Sequence, residues 1–320
     1  MQRPPISRQS GPRLGTTARL AWIVLAYVAL VILYGSVVRV TGSGAGCGRH
    51  WPTCQGDVAY IPDNLQAAIE LTHRVTSGLS LLAVGWLYYR VRRTCARGDA
   101  TRLTAALAVG FVLAESLIGA GLVLFRLVAD DTSLARAVVV PLHLANASLL
   151  IASLALTAWG STWDLPPRTR WAADPDSRRM LWLLSLLLLV AMSGAVTALG
   201  DTLFPPRTEH HLIKGLVWDQ SARAHLLQRI RLAHPVLALL AGFVIIKFAI
   251  GLALDQISSN SVRRLARNLA IVTVAQMLLG LIDIAWSAPA TIQIVHLAFA
   301  LLVWVTAVFL WAATAQPRSG

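Results

Sequence analysis

Charge is scarce in this sequence. Only 13% of its 320 residues are Asp, Glu, Lys or Arg, about half the roughly 25% usual in a soluble domain. With 56% hydrophobic residues and a mean hydropathy of +0.62, that shortage excludes bulk water as the solvent for most of the chain. Acidic residues are the scarcer sign, 15 against 28 Lys and Arg. They form no carboxylate-rich cluster of the kind a di-iron bundle needs, and only one Glu-x-x-His occurs, at Glu70 and His73. Gly42-Ser43-Gly44-Ala45-Gly46 lacks a preceding Rossmann strand. It reads as a flexible outer turn, not a phosphate loop.

What the sequence has in quantity is apolar runs of membrane-crossing length. They approach Leu20–Val38, Ala68–Tyr89, Leu103–Phe125, Ala137–Trp159, Met180–Leu199, Ile230–Leu254, Leu265–Trp286 and Thr291–Ala313. Each is close to the roughly 20 residues that span a hydrocarbon core. The expectation is an all-α polytopic membrane protein with eight transmembrane helices. The first run follows Arg3, Arg8, Arg13 and Arg19, but it exceeds a signal peptide's apolar region and no small-x-small site closes it. It reads as a retained anchor.

A formal charge of +13 on a soluble protein would suggest nucleic acid; here the cations report topology instead. The N-terminal tail, residues 90–102, 164–179 and 247–267, and Arg318 hold 18 of the 28. Both termini are therefore expected in the cytoplasm, with membrane lipid and not nucleic acid as the surrounding partner. Cys47 and Cys54 then fall in the first outer loop and Cys95 on the reducing side. A Cys-x6-Cys pair in an oxidising compartment reads as a disulfide, with zinc binding as the alternative.

The halves of the chain echo one another. Gly35-Ser36-Val37-Val38 matches Gly194-Ala195-Val196-Thr197, and His73 matches His234 at an offset of 161. Glu115-Ser116-Leu117-Ile118-Gly119 matches Gln276-Met277-Leu278-Leu279-Gly280, and His143 matches His296 at 153. The rare polar residues take part, which argues against chance likeness between apolar segments. The repeat predicts two pseudo-symmetric four-helix bundles of parallel topology, residues 1–160 and 180–320, joined by a cytoplasmic linker at 161–179.

His73, His143, His234 and His296 fall in the outer turns of the even-numbered helices. A lone membrane histidine often only bonds a neighbouring helix; four at matched positions, two per half, point to a ligand. Apolar walls and one histidine per helix favour haem, which takes an axial imidazole from each side, over zinc or di-iron. Glu70 shares a helix face with His73, whereas Arg231 stands at the matching position before His234. The pattern suggests divergent sites: chemistry in the first half, and in the second a held haem whose propionates Arg231 pairs. The alternative is that Glu70 only pairs with Arg74. Glu115 and Gln276 read as structural, packing or hydrogen-bonding within each bundle, and His210, His211 and His225 as solvated.

These residues resemble the haem A synthase family. The likeness is carried by Val38-Arg39-Val40-Thr41-Gly42-Ser43-Gly44-Ala45-Gly46-Cys47, Trp51-Pro52-Thr53-Cys54 and Glu70-Leu71-Thr72-His73-Arg74, and it extends through all eight helices. The resemblance implies an oxidoreductase in the cytoplasmic membrane, with sites near its outer face, that oxidises the C8 methyl of haem O to the formyl of haem A. It implies haem b held by His234 and His296, substrate haem near His73 and His143, Glu70 as the catalytic acid, and a loop disulfide between Cys47 and Cys54. Arg74 and Arg231 are the expected propionate partners. Haem O synthase, oxidase assembly factors and an electron donor are the expected protein partners. One departure is Pro235 after His234, where family members often carry Arg; in a first turn it removes no helical hydrogen bond. The alternative function is a di-haem b-type electron-transfer cytochrome, which leaves Glu70 and the outer cysteines unexplained. A rocking transporter is less well matched, because the spans look continuous.

Overall fold

The structure, a computed structural model, describes residues 15–205 and 224–316. Its long elements are eight helices: α1 Thr16–Val40, α2 Leu65–Thr94, α3 Ala100–Leu124, α4 Leu134–Trp163, α5 Pro175–Leu203, α6 Ala233–Leu254, α7 Asn260–Ala285 and α8 Ala290–Thr314. A helix satisfies its own backbone, the condition for crossing lipid. Polar side chains mark where most of them begin. Asn64, Asp99, Ser133, Asp174 and Ser259 each accept a bond from a first-turn amide of α2, α3, α4, α5 and α7.

Seven of these helices are long and apolar enough to cross a membrane. The one that falls short is α2. It has 30 residues, but Glu70, His73 and Arg74 stand near its start and Arg90, Arg92 and Arg93 near its end, which shortens its apolar middle.

Helices α1–α4 close into a ring in which each packs on the next and α4 returns to α1; α5–α8 do the same. The rings meet through α1, α4, α5 and α8. At the end that carries Cys95, this junction is filled. Trp22 and Trp159 lie with ring centres 5.6 and 5.4 Å from Phe309, and Trp22 Nε1 donates to Thr162 Oγ1 at 3.1 Å. Leu150, Ile151, Leu154 and Leu310 are fully buried beside them.

At the opposite end Cys47 and Cys54 form a disulfide that closes a compact loop. The segment expected to be a flexible turn is ordered. Ser43–Ala45 is a 3-10 turn with Ser43 buried, and Gly46 lies against the backbone of Gln66 and Ala67 where no Cβ would fit. His225, expected to be solvated, is half-buried. It caps the short helix Leu226–Arg229 and stacks on Phe204 at 4.8 Å. His210 and His211 lie outside the described residues. Pro235 falls in the first turn of α6, as its sequence position requires.

Candidate functional site

At the disulfide end the space between the helices stays open as one cavity of about 1550 Å³, walled by all eight. Ligand pockets commonly run about 300–1,000 Å³, so this volume exceeds what one drug-sized molecule fills. The walls are mostly apolar, and His73, His143, His234 and His296 all line it.

Each histidine is seated on a glycine of a neighbouring helix. A Cβ added at Gly35 would lie 3.2 Å from the His73 ring, and at Gly194 2.9 Å from His234. At Gly119 it would lie 3.8 Å from His143, and at Gly280 3.1 Å from His296. Missing side chains at these glycines thus leave space for the imidazoles to lie close to neighbouring backbones.

The second pair is the better defined. The His234 and His296 rings have centres 6.4 Å apart and planes 87° apart. Imidazole nitrogen sits about 2.0–2.1 Å from a bound metal and roughly 1.1 Å from its ring centre, so two rings facing across one ion stand about 6.3 Å apart. The centre-to-centre separation of the pair matches that spacing. Ser193 Oγ meets His234 Nδ1 at 3.1 Å, which leaves Nε2 for a ligand. Gln276 Nε2 meets His296 Nε2 at 3.1 Å, and His296 Nδ1 is buried without a partner among the described residues.

The first pair has different surroundings. His73 Nδ1 is buried and unpartnered, and its ring lies 6.2 Å from that of Tyr34. His143 Nδ1 lies 3.2 Å from Glu115 Oε1, close enough for an ion pair but off the line of a hydrogen bond. Asn146 Nδ2 donates to Glu115 Oε2 at 2.5 Å and to Phe111 O at 2.9 Å. The matched residues Glu115 and Gln276 therefore both touch a histidine, a partner that the sequence reading of bonding or packing within each bundle did not name.

Glu70 is 3% exposed and heavily bonded. Its Oε2 accepts from the Cys47 amide at 2.7 Å. Its Oε1 accepts from Arg74 Nε at 3.1 Å and from Arg74 Nη2. Arg74 Nη1 in turn donates to His50 O and Thr53 O, each at 2.6 Å. The pair thus ties the disulfide loop to α2, one turn from His73, while both residues line the cavity.

Arg231 forms an ion pair with Asp201 at 2.7 Å and donates to Phe204 O at 2.7 Å. Two further guanidiniums on the cavity wall went unremarked in the sequence. Arg39, at the end of α1, reaches across to the second ring. It donates to Ala198 O at 2.7 Å, to Thr202 Oγ1 at 2.5 Å and to Gln293 Oε1 at 2.8 Å. Arg136, in the first turn of α4, is 6% exposed and donates to Ala129 O and Asp131 O. Arg39 stood inside a recognised motif, and its matched position is Ala198, the residue it now touches. The repeat offset was the available signal.

A family model described as cytochrome oxidase assembly protein matches residues 18–308. Two Thermus thermophilus proteins, each named protoheme IX farnesyltransferase, are 45% and 44% identical over 299 residues. That covers 93% of this chain but 48% of theirs, so the chain spans about half the length of these relatives. A protein named heme A synthase from Staphylococcus saprophyticus is 39% identical over 109 residues, 33% of this chain and 34% of that one.

Proposed function

The chain belongs to the haem A synthase family, and from that premise we propose that it oxidises the C8 methyl group of haem O to the formyl group of haem A. The observation that carries the proposal is the two pairs of histidines on one large apolar cavity. One pair, His234 and His296, has the spacing of axial ligands. Seven helices of membrane-crossing length make the chain an integral membrane protein. We place it in the cytoplasmic membrane, with α2 as an eighth crossing, both termini inside and the cavity toward the outer face, where a disulfide is stable.

In this reading the two rings are the functional halves. His234 and His296 hold a resident haem b, which supplies one-electron transfer when bound. His73 and His143 grip the substrate haem. The cavity's apolar walls hold the macrocycle away from water, and its size leaves space for the prenyl tail of haem O.

Glu70 is the catalytic acid of this proposal. Three of its roughly four acceptor positions are taken by Arg74 and the Cys47 amide. That favours an electrostatic role for the fixed Glu70–Arg74 pair beside His73 as charge develops on the substrate. It argues against Glu70 as a free proton shuttle. By the same geometry it fixes the loop that lines the cavity.

Prenyl transfer, named for the Thermus relatives, would call for carboxylates free to hold a divalent cation on a diphosphate. Here Glu70 is bonded to Arg74, Glu115 to Asn146 and Asp201 to Arg231; Asp57 and Asp283 also line the cavity, but the groups matched across the two halves are imidazoles. Oxidation suits them better. An enzyme making haem O would supply the substrate, terminal-oxidase assembly would take the product, and a separate donor would carry the electrons.

The test is conversion. The chain is expressed beside a source of haem O and the pigments are extracted and separated. Haem A, with its hydroxylated precursor, is the expected result; haem O alone would refute the assignment in favour of an electron-transfer cytochrome.

A further inference from the structure

Four arginines line the cavity: Arg39, Arg74, Arg136 and Arg231. They divide into two kinds. Arg74 and Arg231 already have carboxylates, Glu70 and Asp201. Arg39 and Arg136 have none within ion-pair distance among the described residues, and every bond that either makes ends on a neutral oxygen.

Their donors are also incompletely used. A guanidinium has five N–H groups. Arg39 directs three at Ala198, Thr202 and Gln293. Arg136 directs two at the carbonyls of Ala129 and Asp131, and its Nε is buried with no partner among the described residues. A cation held among neutral acceptors in a low-dielectric site keeps most of its desolvation penalty. Such a site has a strong preference for an anion.

The two lie together. Arg136 is near enough to Arg39 for their charges to interact; Asp201 and Asp283 act on Arg39, and Asp130 and Asp131 act on Arg136 without an ion pair to it. Asp201, however, is engaged by Arg231, and Asp283 stands beyond ion-pair range of either arginine. Arg39 ends α1 and Arg136 begins α4, at the junction of the two rings and at the mouth end of the helices that carry the histidines.

We propose that Arg39 and Arg136 form a carboxylate-binding site at this junction that takes the propionate groups of a haem in the cavity. The proposal rests on the haem reading above and moves the propionate role away from Arg74 and Arg231. A planar fork suits a carboxylate, and a haem edge has two. Because Arg39 is itself held by α5 and α8, occupation would brace the two rings against each other.

The experiment compares two probes on the purified full-length protein in detergent, prepared with little haem: iron protoporphyrin IX and its dimethyl ester, each titrated by Soret absorbance. The wild type should bind the free acid at least tenfold more tightly than the ester. Arg39→Gln and Arg136→Gln should each cut that preference several-fold, leaving ester affinity and the low-spin spectrum unchanged. Arg39→Lys, which keeps the charge, should retain part of the preference and serves if Arg39→Gln fails to fold. Equal binding of acid and ester by the wild type would overturn the arginine assignment and leave the haem reading standing. So would an unchanged preference in the variants. Failure of both probes to bind the folded wild type would overturn the haem reading, and this proposal with it.

Discussion

Replacing Gly194 with alanine should expel haem from the His234–His296 pair without harming the fold. The added methyl carbon would lie 2.9 Å from His234 Cε1 and 3.3 Å from both ring nitrogens. Carbon atoms rest at about 3.5–4.0 Å, so the ring must retreat by roughly 0.6–1.1 Å or helix α5 must give way. Overpacking of this kind costs about 1–3 kcal/mol. If the cost falls on ligand geometry, affinity drops roughly 5- to 150-fold, since about 1.4 kcal/mol is a factor of ten. Alanine is meanwhile the better helix former, so thermal stability without ligand should hold or rise. The four seats form a graded series. Gly280→Ala, with contact at 3.1 Å, should weaken the same pair less, and Gly35→Ala at 3.2 Å should disturb His73. Gly119→Ala, at an ordinary 3.8 Å from His143, should be silent. The assay is haem per protein together with the low-spin absorption spectrum. Full haem content in Gly194→Ala, or equal losses in Gly194→Ala and Gly119→Ala, would refute the reasoning.

Other variants test the remaining parts. Glu70→Ala leaves Arg74, 10% exposed, buried without its carboxylate, a defect of about 3–5 kcal/mol; conversion should stop while haem b content stays, and loss of that haem would make Glu70 a structural residue. Burial pushes the Cys95 thiol pKa up, so less thiolate is present at neutral pH. Iodoacetamide should therefore label Cys95 more slowly in the native protein than in detergent-denatured chain, with equal rates counting against the packing around it. Reduction of Cys47–Cys54 should loosen the loop that Arg74 holds through His50 and Thr53, raising proteolysis between residues 47 and 58; unchanged digestion would show that the Glu70–Arg74 pair suffices.

Hydropathy made the eight helices legible, because a run near 20 apolar residues has few other uses. It also placed the four histidines at one end, since position along a helix follows from counting residues. What it could not supply was the rotation of each helix about its axis. Arg39 was visible as part of a motif, but its bonds to Thr202 and Gln293 depend on how one ring docks on the other. The double attachment of Glu70, to Arg74 and to the Cys47 amide, depends on how the disulfide loop folds back. Glycine seats lay between these cases. Gly35, Gly119, Gly194 and Gly280 were noted as repeating letters, yet only the structure puts each against an imidazole. Local polarity misled in two places. Gly42–Gly46 is pinned by a close approach to α2, and His225 caps a helix that the run Ile230–Leu254 gave no reason to expect.

The central claim is that the four histidines are two unequal pairs, one keeping a haem and the other receiving a substrate. The most direct measurement compares His143→Ala with His296→Ala, expressed beside a haem O source, scoring purified protein for bound haem b and membranes for haem A. The account predicts that His143→Ala keeps its low-spin haem b yet makes no haem A, whereas His296→Ala loses the haem b. Loss of the same haem from both variants, or haem A formed by His143→Ala, would contradict it.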